Sequence, residues 1–473
     1  HWKAELREGS SYVKETYRIE ASKEVDLKKV QLIDLQDPTL AVKGTVPGSP
    51  LVSEREGTFA GIELPVARAQ AAGGTGTVGF DCNLPMGSGN AQTFTTVLGV
   101  WPENQLRRGF LYYLERERAA PYRQFLHYNG WYDDGLDPTE KTLVKTAGEY
   151  RKELGSRHVR LDGFVLDDGW FGGQFPRNDA RAGLGDWQVN RAKLPHGLEG
   201  LIRQAEKLGI RFGIWVEPEM VNPCSELYQK HPEWVIGLPH RENRLERSQY
   251  LLDLSNPDVR AYILEAMRKL LGGHPGISYV KWDCNRKISD PGSPWLDASH
   301  QGNLSIDYVR GYEAILDALA AEFPDVTFQA CSSGGGRADY GTMRRHHEFW
   351  TSDNTDACER VFMQWGIGHL FPAITMAAHV TASPNHQTKR VTPLKFRFDV
   401  AMSGRLGFEL QPCDMTKEEV EFSKRALAEY KRIRPVVQFG DLYRLSSPYE
   451  SRVASLMYVH EKRAVSYTHL RAH

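Results

Sequence analysis

Tyr279-Val-Lys-Trp-Asp-Cys-Asn-Arg286 joins a short apolar run to a polar end. The run has the length of a buried strand, and its polar residues stand where such a strand opens to solvent. Phe349-Trp-Thr-Ser-Asp-Asn-Thr-Asp356 repeats the arrangement. The same rhythm runs through the chain from about residue 125, with strand candidates at 125–132, 162–168, 211–217, 277–283, 326–331, 347–352, 373–379 and 404–410. Between them, residues 198–208, 259–271, 308–323, 394–402 and 417–434 carry the helical apolar period. Strand–helix alternation at this spacing predicts an α/β fold with a parallel sheet, and eight units predict a closed (β/α)8 TIM barrel.

Outward from the barrel, taken as 125–438, the pattern changes on both sides. Residues 1–124 alternate short apolar runs such as Val30-Gln-Leu-Ile-Asp-Leu35 with Gly, Pro and Ser breaks, which predicts a truncated N-terminal β-sandwich. Residues 439–464 return to short strands, the start of a C-terminal β domain. Val465-Ser-Tyr-Thr-His-Leu-Arg-Ala-His473 reads as a non-native tail, and the i, i+4 spacing of His469 and His473 within it as accidental. The first residue is His1, so an incomplete N-terminus is expected and a signal peptide stays open.

Composition excludes several function classes. A net charge of −1 over 473 residues argues against nucleic-acid and anionic-membrane binding. No run of about 18 apolar residues is present, so no spanning helix is expected. The cysteines at 82, 224, 284, 331, 358 and 413 have neither metal-ligand spacing nor the look of a disulfide framework. A reduced, cytoplasmic protein without metal or cofactor is the expectation. Gly74-Thr-Gly-Thr-Val-Gly79 fits a dinucleotide-binding expression, but no apolar strand precedes it and no helix follows. His346 and His347 would point to opposite faces of a strand, against a shared metal. Arg107 to Arg123 mixes basic, acidic and aromatic residues and reads as a solvated connector.

A barrel of this kind keeps its chemistry at the C-terminal strand ends. There this sequence places Trp131, Asp167, Asp168, Trp215, Glu217, Glu219, Lys281, Asp283, Asn285, Cys331, Gly334, Trp350 and Asp353. Two carboxylates facing one bond are the minimum equipment for glycoside hydrolysis. Lys281, Asp283 and Asn285 share one strand face, so Lys281 is expected beside Asp283, keeping it ionised. Asp353 has the opposite task of holding a proton, with Phe349 and Trp350 expected to supply the desolvation. Asp353 could instead cap the helix near Glu359, although Asp356 is equally placed. Asp167 and Asp168 can accept hydrogen bonds from sugar hydroxyls and Arg247 can donate them. Glu217 and Glu219 read as supporting or structural carboxylates rather than catalytic ones.

Five ordered segments carry a resemblance: Asp167-Asp-Gly-Trp-Phe, Gly213-Ile-Trp-Val-Glu-Pro-Glu-Met220, Lys281-Trp-Asp-Cys-Asn-Arg, Cys331-Ser-Ser-Gly-Gly-Gly-Arg and Trp350-Thr-Ser-Asp-Asn-Thr-Asp. Over roughly 125–464 the chain resembles the α-galactosidases of glycoside hydrolase family 36. The resemblance implies a retaining double displacement on terminal α-galactose, with Asp283 as nucleophile and Asp353 as general acid/base. Such a pair stands about 5–5.5 Å apart. It also implies that Asp167, Asp168, Trp215, Arg247 and Lys281 hold the galactose, that Cys331 and Gly334 lie near its 2-hydroxyl, and that Trp131 and Trp350 form aromatic walls. No metal or cofactor is implied, the partner is an α-galactoside such as raffinose or melibiose, and the full-length protein is expected as a homo-oligomer. His127-Tyr-Asn-Gly-Trp-Tyr-Asp133 and the stretch from Arg107 to Arg118 are instead similar to the α-N-acetylgalactosaminidase branch. An α-N-acetylgalactosaminidase and an inactive sugar-binding fragment are therefore the alternatives.

Overall fold

The structure is a computed structural model that describes residues 1–470 except 88, 90, 103–104, 118–122, 155–160 and 370, and without the side chains of 340 and 468–470. Eight parallel strands close into a barrel: β1 (His127–Asn129), β2 (Gly163–Leu166), β3 (Arg211–Val216), β4 (Ile277–Trp282), β5 (Thr327–Ala330), β6 (Glu348–Trp350), β7 (Met376–Thr381) and β8 (Arg405–Glu409). The ring closes where Tyr128 of β1 pairs with Phe408 of β8. All eight predicted strands are present in order; seven fall within their predicted bounds, and the seventh, expected at 373–379, starts later and runs to Thr381.

The expected helices also form, as Gly197–Leu208, Pro257–Gly273, Leu304–Glu322, Leu394–Ala401 and Lys417–Phe439. The last starts at a capping box in which Thr416 and Glu419 satisfy each other's free backbone N–H groups. The connector reading of Arg107 to Arg123 is corrected for its first part: Leu106–Glu117 is a helix. Its Leu106, Phe110, Tyr113 and Leu114 recur at helical spacing and are buried. Phe110 packs edge-on against Phe59, and Tyr113 against Tyr12, of the N-terminal sheet. Arg107, Arg108, Glu115, Arg116 and Glu117 flank that stripe and mask it in the sequence. Residues 118–122 of the same stretch lie outside the described residues.

The N-terminal region holds two antiparallel sheets. Six strands run in the order Trp2–Glu5, Tyr12–Ile19, Gln92–Val100, Thr58–Ile62, Leu51–Ser53, Leu40–Val42, and three in the order Val25–Gln36, Thr75–Met86, Arg68–Ala72. Val30, Leu51, Ile62, Phe80 and Phe94 form their shared core, together with Ile306 from a barrel helix. Gly73 and Gly74, at φ +58° and +80°, make the tight turn of the Arg68–Met86 hairpin. The glycine cluster there is thus a hairpin element.

After the barrel, Asp441–Ser446, Val453–His460 and Arg463–Leu470 form an antiparallel sheet. The stretch read as a tail supplies most of the third strand, and buried Tyr467 donates its hydroxyl to the carbonyl of Met402. His473 lies outside the described residues, as does the side chain of His469. Among the described residues no helix is long and apolar enough to cross a membrane, and no three His, Cys, Asp or Glu cluster as a metal site would require.

Candidate active site

A cleft opens at the C-terminal ends of the barrel strands. Trp131, Asp167, Asp168, Trp215, Arg247, Lys281, Asp283, Trp350 and Asp353 all line it, so nine of the eleven predicted site residues converge, eight from the ends of five barrel strands and Arg247 from a turn. Cys331 and Gly334 are not among the residues lining it. Cys331 is buried against Trp350 and Ala377. Gly334 has φ +95°, and a Cβ there would stand 2.6 Å from the Cα of Ser352. Only glycine accommodates both that backbone conformation and that approach.

Asp283 extends β4 by one residue, its N–H donating to the carbonyl of Val216 on β3 at 2.8 Å. Its two carboxylate oxygens have separate donors: Oδ1 accepts from the backbone N–H of Cys284 at 2.8 Å, and Oδ2 from the indole Nε1 of Trp215 at 3.1 Å. Lys281 feels the charge of Asp283, as its place on the strand leads one to expect, but its ammonium donates to Oδ2 of Asp167 at 2.8 Å. The reason lies in barrel geometry. Lys281 on β4 and Asp167 at the end of β2 belong to alternate strands, and alternate strands fill one interior layer. Asn129 of β1 donates to the same Asp167 oxygen at 2.7 Å. Burial opposes the charge of Lys281, but Asp167 and, behind it, Asp283 hold the ammonium well above its usual range.

Asp353 sits three residues beyond β6, and its carboxyl is raised above the usual range, first by burial and then by the charge of Asp283. Lys281 and Arg247 pull the other way. So does Trp350, whose indole N–H donates to Oδ1 of Asp353 at 3.1 Å. Desolvation raises this carboxyl as expected, whereas the Trp350 N–H opposes it, because a donor favours the ionised form. Phe349 belongs to the barrel core, edge-on to Phe371. Asp353 is free of capping duty, since Asp356 caps the helix Ala357–Ile367 by accepting from Cys358 N–H at 2.8 Å.

The remaining predicted residues divide by their partners. Asp168 is gripped by Arg177, which donates from Nη2 at 2.8 Å and from Nε at 3.1 Å, both groups buried. Burial still raises the Asp168 carboxyl, with Arg177 opposing. Trp131 rests on Asn129, whose Oδ1 accepts its backbone N–H at 3.0 Å. Arg247 is exposed at the mouth, on a turn where it and Ser248 both have positive φ, 52° and 62°. Two consecutive non-glycine residues in that region cost about 1–3 kcal/mol each and mark a constrained turn.

Glu217 also lines the cleft, and burial followed by the charge of Asp283 pushes its carboxyl up to about 8. It accepts from the backbone N–H of Asn285 at 2.5 Å and from Gln249 at 3.2 Å. Glu219 is structural: Arg337 binds it at 2.7 Å through two nitrogens, and Trp282 and Tyr308 donate to it. Tyr132, Arg177 and Glu409 line the cleft without having been singled out in the sequence. Glu409 ends β8, so the strand-end rule applied to the last strand would have found it. Arg177 lies in the long loop after β2, where no periodicity flags a residue.

The sequence model of the family described as Melibiase matches residues 111–440, which contain every residue of this cleft. The chain belongs to the melibiase family. Among its relatives, alpha-galactosidase AgaA of Geobacillus stearothermophilus is 45% identical over 349 residues, covering 74% of this chain and 46% of that protein. Alpha-galactosidase Mel36A of Lactobacillus acidophilus is 42% identical over 329 residues, covering 70% and 44%. The chain thus spans about half the length of the curated relatives it matches. Solved structures agree. A variant of GH36 alpha-galactosidase AgaA in complex with 1-deoxygalactonojirimycin superposes with a TM-score of 0.86 at 34% identity, covering 97% of this chain and 71% of that one. A second AgaA variant, in complex with raffinose, gives 0.85 at 34% identity, covering 98% and 72%.

Proposed function

We propose that this melibiase is a retaining α-galactosidase that removes terminal α-galactose from oligosaccharides or glycoconjugates. One observation carries the reading: two carboxylates line one cleft in opposite settings. Asp283 is oriented by two N–H donors, while Asp353 is raised by burial and by Asp283 itself. That asymmetry is what a nucleophile and a general acid require of a carboxylate pair. Asp353 donates its proton to the glycosidic oxygen as Asp283 attacks the anomeric carbon, forming a galactosyl ester and releasing the aglycone. Asp353, now ionised, takes a proton from water as the water attacks the same carbon, and Asp283 leaves. Two inversions return the α-anomer. Asp167 and Asp168 offer acceptors to the sugar hydroxyls, Arg247 and Lys281 offer donors, and Trp131, Trp215 and Trp350 form its walls. The complexes of relatives with raffinose and stachyose support a galactosyl oligosaccharide as substrate.

Galactose is favoured over N-acetylgalactosamine by the packing of Gly334 on Ser352 and the burial of Cys331, which leave neither lining the cleft. Paired turnover of the two nitrophenyl glycosides decides between them. The six free, scattered cysteines support a reduced, cytoplasmic setting. The direct test is Asp283→Ala, expected to lower turnover at least about 10³-fold, with added azide restoring activity on an activated substrate and yielding the inverted β-galactosyl azide by NMR. An unchanged rate would remove the assignment. Galactose binding by calorimetry without turnover in the unsubstituted chain would favour the sugar-binding alternative.

A further inference from the structure

Asp353 stands on a loop whose three consecutive carbonyls, those of Ser352, Asp353 and Asn354, are all held by side chains. Arg360, on the first turn of the helix Ala357–Ile367, donates from Nη2 to the carbonyl of Ser352 at 2.6 Å and from Nε to that of Asn354 at 2.8 Å. The hydroxyl of Tyr132, on the short helical turn Trp131–Asp134 after β1, donates to the carbonyl between them, that of Asp353 itself. Arg360 also reaches the carboxyl by a second route. Its guanidinium lies 4.8 Å above the Trp350 ring, and the N–H of that ring donates to Oδ1 of Asp353.

Both clamping groups are themselves fixed. Arg360 is buried, and a third contact from Nη1 reaches the carbonyl of Ala377 on β7 at 3.4 Å. Among the described residues it makes no ion pair, so this buried cation is committed to backbone carbonyls and an indole face. Burial lowers its pKa to about 10, which leaves it charged at neutral pH. Tyr132 stacks on His386 with centroids 4.9 Å apart and planes 9° from parallel.

We propose that Tyr132 and Arg360 are positioning residues for Asp353, fixing the place from which its carboxyl delivers a proton to the departing oxygen; this rests on the reading of Asp353 as general acid/base. A single clamp would leave the loop free to pivot. Two clamps, reaching adjacent peptides from helical turns that follow different barrel strands, fix the loop that carries the carboxyl. Displacements of about 1 Å at a reacting group cost up to about a hundredfold.

The test separates acid positioning from general structural support by leaving-group dependence. A dinitrophenolate departs without a proton, whereas a methoxide does not. Values of kcat/KM for 2,4-dinitrophenyl and methyl α-galactosides are compared in the full chain carrying Tyr132→Phe, Arg360→Lys or Asp353→Ala. Lysine retains the charge but lacks the planar fork whose Nε and Nη2 span the Ser352 and Asn354 carbonyls, and Tyr132→Phe removes one hydroxyl while keeping the ring. Each positioning variant is expected to lose at least about tenfold more on the methyl glycoside than on the dinitrophenyl one, a part of what general acid catalysis supplies. Equal losses on both substrates, or none on either, would overturn the proposal. The Asp353→Ala control keeps the two readings apart. Symmetric loss there removes the acid/base assignment and the clamp with it, whereas asymmetric loss there beside symmetric loss in Tyr132→Phe removes the clamp alone. Should Arg360→Lys fail to fold, Tyr132→Phe decides.

Discussion

Trp215 and Asp283 are joined across the β3–β4 ladder: the indole N–H of the first donates to Oδ2 of the second at 3.1 Å. Trp215 is 2% exposed, so its N–H has been removed from water and this bond replaces the lost hydration. A hydrogen bond to a charged group is worth about 1.5–3 kcal/mol. Trp215→Phe is therefore expected to slow formation of the galactosyl ester about 10- to 100-fold, measured as the pre-steady-state burst of nitrophenol. A burst as fast as that of the unsubstituted chain would show that the indole serves only as a wall.

Arg177 and Asp168 form a buried two-nitrogen pair. Arg177→Met leaves a buried carboxyl without its counter-charge, which costs about 3–5 kcal/mol. Urea denaturation at pH 7 is expected to show that loss, and Arg177→Met combined with Asp168→Asn to recover part of it. If the double variant were no better than the single one, the loss would come from the other contacts of Arg177, at the carbonyl of Ala182 and at Asn222.

Glu217 gives a pH signature. Its carboxyl is raised from 4.5 to about 8, by burial first and then by Asp283, with the N–H of Asn285 opposing. Between those values the folded chain holds a proton that the unfolded chain has released. Stability linked to Glu217 is thus complete below about pH 4.5 and is lost as pH rises through about 8. Glu217→Gln removes the titration, so its Tm relative to the unsubstituted chain should climb between pH 5 and pH 9. A difference that stays flat over that interval would place the carboxyl in its ordinary range.

Gly334→Ala tests the packing behind the acid/base loop. The added Cβ would stand 2.6 Å from the Cα of Ser352 and 3.1 Å from the backbone nitrogen of Asp353, on a backbone at φ +95°. Strain of about 1–3 kcal/mol follows, and the loop carrying Asp353 must shift to relieve it. Thermal unfolding should report a lower Tm, and turnover should fall most for poor leaving groups. Unaltered values of both would mean that the loop yields without cost.

The barrel was legible because each strand is a short apolar run ending in a polar signature, as at Tyr279–Arg286 and Phe349–Asp356. The strand-end rule then brought Asp167, Asp168, Lys281, Asp283 and Asp353 to one cleft. Partnerships were not legible in the same way. Period-two spacing sees neighbours along one strand, so it set Lys281 against Asp283, while the layered barrel interior joins it to Asp167 on another strand. Arg177 and Arg360 act from a loop and a helix turn, where no alternation exposes an inward-facing side chain. Trp350 was read by its ring, and its N–H decides the sign of its influence on Asp353.

The paired donors on Asp283 have a thermodynamic corollary. A free carboxylate explores rotations about two side-chain bonds, and any catalyst that must aim one forfeits that freedom in each cycle. Here Cys284 and Trp215 hold both oxygens before any ligand arrives. The rotational entropy of the attacking group is surrendered once, when the chain folds, and no turnover has to surrender it again.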